Sequence, residues 1–152
     1  MALTDATPTA GGTPPPDLGG AACRAAYFLP PDRRTVGRAR HLVTEQLGLW
    51  GVAPDDCDTA VLVVSELLTN AVLHTNSRRV ACTLGATPDL VLIQVTDDGS
   101  GPSAPRTRRA GSRDEAGRGL LLVRALSEHW GVGVAEYGGG RTVWATLRTA
   151  RP

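Results

Sequence analysis

Glu66, Asn70 and His74 stand four residues apart in a segment whose apolar residues recur at helical spacing, so the three share one stripe of a helix. A carboxylate there could orient or deprotonate an attacking hydroxyl or water. An amide oxygen one turn later could take one of the few protein positions on a magnesium ion whose other ligands are phosphates and water. A second group, Asp97-Asp98-Gly99-Ser100-Gly101, ends a strand-like run in a glycine turn. An aspartate at such a strand end could accept a hydrogen bond from an exocyclic amine, and the glycines permit close ligand approach. A third, Gly117-Arg118-Gly119-Leu120, opens a helix-like run, where free N–H groups and the helix dipole suit phosphates. Taken singly, each has an ordinary reading: exposed polar residues, an acidic turn, a glycine-rich loop. Taken together, they describe a nucleotide site that uses no P-loop. All 16 basic side chains are arginine, so the Gly-Lys-Ser/Thr of P-loop NTPases is absent.

The elements that must position these groups follow from pattern. Residues 1–22, with Pro14-Pro15-Pro16 at their centre, carry too little apolar surface to offset ordering entropy and are expected to be disordered, leaving one domain over 23–152. Ala25–Leu29 reads as a short strand stopped by Pro30-Pro31. Residues 32–49 read as a helix that Asp32 could cap. Pro54-Asp55-Asp56 opens a second helix running to about Thr75, with Val61, Val64, Leu68 and Val72 as its apolar stripe. Arg79–Gly85 and Leu90–Asp97 form a predicted hairpin. Residues 98–116 have the length and composition of a lid. Gly119–His129 reads as a helix ended by Gly131, followed by strands over Val132–Tyr137 and Thr142–Arg148. This order implies an α+β fold, a two-layer sandwich with a mixed, mainly antiparallel sheet covered on one face by about three helices.

Composition narrows the class. Sixteen basic against 15 acidic residues give no whole-chain attraction to nucleic acid or an anionic membrane. No apolar run approaches a membrane span, and no secretory signal pattern begins the chain, so a cytoplasmic location is expected. Cys23, Cys57 and Cys82 match no metal spacing or disulfide framework and read as reduced, small packing residues. Trp50, Trp130 and Trp144 read as packing aromatics.

The three groups in this order resemble the Bergerat-fold ATPases, the superfamily of gyrase, histidine-kinase, heat-shock chaperone and mismatch-repair ATP domains. The resemblance is strongest to the small anti-sigma factor serine kinases and similar bacterial ATP-binding regulators. It rests on Val64-Ser-Glu-Leu-Leu-Thr-Asn-Ala-Val-Leu-His74, Val95-Thr-Asp-Asp-Gly-Ser-Gly101, Gly117-Arg-Gly-Leu-Leu-Leu-Val123 and Gly140-Arg-Thr-Val-Trp-Ala145, and spans about Ala26 to Leu147. It implies ATP and Mg2+ as cofactors, Glu66 as general base and Asn70 as magnesium ligand, with His74 on the same stripe. It implies Asp97 on the adenine amine, with Gly99 and Gly101 shaping that pocket. Gly117, Arg118, Gly119 and Leu120 would lie near the phosphates, and Thr142 would support the adenine end through its hydroxyl. Arg106, Arg108, Arg109 and Arg113 are candidates for the γ-phosphate, with a solvated basic loop as the alternative for each. Leu121 stands where many histidine kinases carry a further glycine, and the stretch before Ala25 is short for a phosphoacceptor helix pair. Both departures fit the serine-kinase branch.

The resemblance implies a protein serine/threonine kinase that phosphorylates an anti-anti-sigma type protein and sequesters a sigma factor when free. It also implies a possible homodimer, with no nucleic-acid or membrane partner. The alternative is a non-catalytic module in which ATP gates a protein-binding surface. A structural protein of this fold without nucleotide is a third reading, weakened by the presence of all three groups.

Overall fold

The computed structural model describes residues 14–20, 22–73, 78–98, 121–134 and 140–149. Strand β1 (Cys23–Leu29) leads into helices α1 (Arg34–Leu49) and α2 (Pro54–Leu73), then the hairpin β2 (Val80–Thr87) and β3 (Leu90–Asp97). Among the described residues helix α3 occupies 121–126, followed by β4 (His129–Val134) and β5 (Arg141–Arg148). The sheet order is β1-β2-β3-β5-β4 and all four pairings are antiparallel. The expected α+β architecture is thus observed, in its wholly antiparallel form among the described strands.

Helix boundaries follow local chemistry. Asp32 takes part in the start of α1, although Arg33 is the residue at the cap: its carboxylate accepts the Arg34 N–H at 2.7 Å and its carbonyl accepts the Thr35 N–H at 2.9 Å. The Thr35 hydroxyl donates to the Pro30 carbonyl. At the other end Gly51 adopts φ +84°, and the Val52 and Gly51 amides return to the Leu47 and Gly48 carbonyls at 3.0 Å each, closing α1 with a left-handed cap. Pro54, Asp55 and Asp56 occupy the first turn of α2, where no N–H partner is needed and negative charge is favoured.

Strand alternation divides the sheet into two faces. Val80, Cys82, Leu84 and Ala86 of β2, Val91, Ile93 and Val95 of β3, and Ala145 and Leu147 of β5 all join Val43, Leu47, Val64, Leu67, Leu68 and Val123 of the helices in one buried cluster. α2 packs chiefly on β3, and α1 packs on α2. Being covered on two sides, α2 buries more than the expected stripe: Ala60, Val63, Leu67 and Ala71 are buried, while Val61 and Val72 are only half-buried. Among the described residues no helix is long and apolar enough to cross a membrane.

Two segments depart from the sequence reading. Helix α3 ends at 126, and β4 begins at His129 and runs straight through Gly131. Gly131 is no helix stop. It pairs with Trp144, whose indole lies where a Cβ at 131 would be, 2.8 Å away. A tertiary contact therefore fixes that glycine. Residues 14–20, inside the expected tail, run against the face of the sheet that the helices leave open, with Leu18 beside Gly85.

Gly131→Val should destabilise the chain by about 1–3 kcal/mol, read as a lower denaturation midpoint in urea, because the Trp144 indole has to move. Cys82 lies fully inside the core, and burial pushes its thiol up to about 12, so it stays protonated; burial and the neighbouring Asp58 and Asp56 raise Cys57 as well. An alkylating reagent at mildly alkaline pH should label the exposed Cys23 alone in the folded chain and all three thiols in denaturant, counted by intact mass.

Candidate functional site

Register sets Asp97 where three strands begin or end together. Asp97, the last residue of β3, pairs with Val80, the first of β2, and with Arg141, the first of β5. α2 ends at Leu73, and only six residues lie between it and Val80, so the helix runs out at the edge where β3 ends. The connection is tied there: the Arg78 amide donates to both carboxylate oxygens of Asp98 at 3.1 Å. Ala71, the neighbour of Asn70, and Val80, the partner of Asp97, belong to the same buried cluster. The helix that carries Glu66 and Asn70 thus packs on the strand that ends in Asp97.

Asp97 is 6% exposed and follows the alternation of Val91, Ile93 and Val95, which puts its side chain on the helix-covered face. Glu66 and Asn70 are half-buried on α2. Their neighbour Ser65 is buried and tied down twice: its hydroxyl donates to the Val61 carbonyl at 2.7 Å and accepts from the Arg40 Nε–H at 2.9 Å. This turn of α2 is thus held by the sheet below and by α1 beside it, a rigid mount for Glu66.

Thr142 is brought to Thr96 rather than to Asp97. The two threonines are register partners with their hydroxyls 2.8 Å apart. Both lie on the open face of the sheet, one pleat away from Asp97. The Thr142 hydroxyl braces the β3–β5 ladder next to the site, and the residue that shares Asp97's face on β5 is Arg141. The expected roles of His74, Gly99, Gly101, Gly117, Arg118, Gly119 and Leu120, and of the lid arginines Arg106, Arg108, Arg109 and Arg113, lie outside the described residues.

Gly140 opens the last stretch that carries the resemblance, but the sequence reading gave it no role of its own. Gly140 is buried directly on the end of β3: a Cβ there would sit 2.0 Å from the Asp97 carbonyl oxygen and 3.0 Å from the carbonyl carbons of Asp97 and Asp98. Only glycine lets the approach to β5 cross so close to Asp97. The signal that could have found it was the run Gly138-Gly139-Gly140, in which the last glycine is the one the packing requires.

Among the described residues no group of three or more His, Cys, Asp or Glu could hold a metal ion by itself. The donor set at this edge, one amide and flanking carboxylates, suits a hard cation that takes most of its ligands from phosphate and water.

The sequence profile of the histidine kinase-like ATPase domain matches residues 29–147. Comparison with curated proteins gives no match. Among solved structures, the chain is similar to that of the RsbU and RsbW domains of Rv1364c from Mycobacterium tuberculosis, with a TM-score of 0.60, 23% identity and 86% of this chain covered. It spans 33% of the chain in that structure, and identity at this level speaks to the fold. The matched profile runs from the last residue of β1 to the penultimate residue of β5, across α2 and the Asp97 end of β3: the chain belongs to the histidine kinase-like ATPase family.

Proposed function

We propose that this chain binds ATP with Mg2+ at the α2–β3 edge and acts as an anti-sigma-factor-type protein serine/threonine kinase. Its substrate would be a small protein of the anti-anti-sigma kind, and it would hold a sigma factor when that substrate is absent. What supports the reading is the family profile over residues 29–147, which takes in Glu66 and Asn70 on α2 and the buried Asp97 at the end of β3, the strand on which α2 chiefly packs. The RsbW domain named in the similar structure supports the choice of kinase branch. A cytoplasmic location and a homodimeric state belong to the same proposal.

Phosphoryl transfer asks the protein for positioning and charge stabilisation more than for covalent chemistry. Asp97, buried and closely approached by Gly140, would accept a hydrogen bond from the purine amine and so set the register of the nucleotide. Asn70 would hold the magnesium ion, which when bound neutralises charge on the phosphates. Glu66, one turn earlier on the braced section of α2, is four residues from Asn70 and on the same stripe, the spacing needed for a base beside a metal-bound phosphate. It would take the proton of the attacking serine or threonine hydroxyl as its oxygen bonds to the γ-phosphorus and ADP leaves. Arg118 and the lid arginines would contribute guanidinium groups toward the phosphates.

Asp97→Asn should weaken ATP binding about 10–100-fold in calorimetry, the loss of a charge-assisted hydrogen bond. Asn70→Ala should abolish the dependence of affinity on magnesium, and Gly140→Ala should weaken binding by displacing Asp97. Glu66→Ala should bind ATP as wild type does and lose transfer to an anti-anti-sigma type protein by about 10²–10⁴-fold. Unchanged binding in Asp97→Asn would remove the adenine assignment. Tight ATP binding without transfer to a verified partner would leave the nucleotide-gated binding module as the function.

A further inference from the structure

The face of the sheet that the helices leave open is not bare. Its middle rows are Ala26–Thr83–Gln94–Trp144–Gly131 and Arg24–Gly85–Leu92–Thr146–His129, read across β1, β2, β3, β5 and β4. Gly85 interrupts the second row with a notch. A Cβ at that position would lie 2.7 Å from Cδ1 of Leu18 and 3.8 Å from Cβ of Leu92. The leucine side chain occupies the space that a side chain on β2 would fill. Residues 15–18 lie along Arg24, Thr83, Leu92 and Gln94 of the sheet, and a space of about 160 Å³ remains between the segment and these residues.

The segment has its own order. Pro15 and Leu18 are half-buried, whereas Pro14, Pro16 and Asp17 are exposed. The two half-buried residues stand three apart, the spacing at which side chains of an extended proline-rich segment fall on one side. A turn then sends the chain into β1. The Asp17 carboxylate accepts the Gly19 N–H at 2.9 Å, Gly19 adopts φ +88°, and the Arg24 guanidinium donates to the Gly19 carbonyl at 2.8 Å. Arg24, which lies along the segment, therefore also clamps the turn that follows it.

We propose that the open face of the sheet carries a docking groove for a short extended Pro-x-x-Leu segment, and that residues Pro14–Leu18 fill it in cis as its built-in ligand. A preformed polyproline segment loses little entropy on docking, and the single leucine supplies the apolar anchor. Four residues separate Leu18 from β1, and a tether that short gives an effective concentration in about the millimolar range. A groove that binds the free segment with a Kd of about 0.1 mM or below is then largely filled by its own chain. Any other chain using this groove has to displace residues 14–18 first. The groove lies on the face opposite Asp97, so the proposal stands apart from the nucleotide reading.

The test is a methyl and amide NMR titration of the full chain with a synthetic peptide spanning residues 14–20. In wild type, Leu18 methyl protons should show contacts to Gly85 that do not vary with protein concentration. In Leu18→Ser the peptide should shift Gly85 and Leu92 saturably, with an apparent affinity about tenfold or more above that for wild type, where the groove is already filled. A second variant, Gly85→Val, fills the notch from β2 and should lose both the Leu18 contact and peptide binding while keeping the amide spectrum of the folded sheet. No binding to Leu18→Ser, equal binding to Leu18→Ser and wild type, or Leu18–Gly85 contacts that appear only at high concentration would each overturn the proposal, the last by assigning the occupant to a second copy.

Discussion

The carbonyl of Asp97 lies where a side chain at position 140 would have to be. This one steric constraint fixes how β5 enters the sheet beside β3, and with it the register that pairs Asp97 with Arg141 and Thr96 with Thr142. Because β2 begins opposite the same residue, three strands share an edge at Asp97, and α2 is drawn to that edge by the short connection to Val80. The chemistry attributed to this chain needs an amide from a helix and a carboxylate from a strand at one end of the molecule. The backbone approach at Gly140 fixes the strand half of that pair.

Helix α2 links stability to function most directly. Its buried residues, Ala60, Val63, Val64, Leu67, Leu68 and Ala71, form the centre of the core between α1 and the sheet. Ser65, tied to Val61 and Arg40, sits next to Glu66. A side chain on such a helix inherits the rigidity of the packing beneath it. The same arrangement explains why the polar stripe is narrow: a helix covered on two sides has only one flank left for Glu66 and Asn70.

Much of this was legible because the signals were local. Pro54-Asp55-Asp56 marked the start of α2, and the strand-like runs Arg79–Gly85 and Leu90–Asp97 marked the hairpin. The features that escaped are set by contacts distant in sequence. Gly131 has the look of a helix stop, and only the Trp144 indole, thirteen residues on, reveals it as a strand glycine. Thr142 and Asp97 fall on opposite faces because of a register that no single-strand pattern encodes. The Pro-rich segment at 14–18 lacks the apolar surface for a core of its own, yet Leu18 finds a notch that exists because β2 carries glycine at 85. The family resemblance supplied the functional residues as a set, and the register adds that Thr142 and Asp97 stand on opposite faces of the sheet.

The most direct test of the nucleotide edge is a backbone amide NMR titration with a non-hydrolysable ATP analogue and magnesium. Binding at this edge predicts saturable shifts concentrated at the end of β3 (Asp97 and Asp98), at Gly140 and Arg141, and in the last turns of α2 around Asn70, with the open face near Gly85 and Leu92 undisturbed. Saturable shifts confined to another surface, or none at millimolar nucleotide, would contradict it.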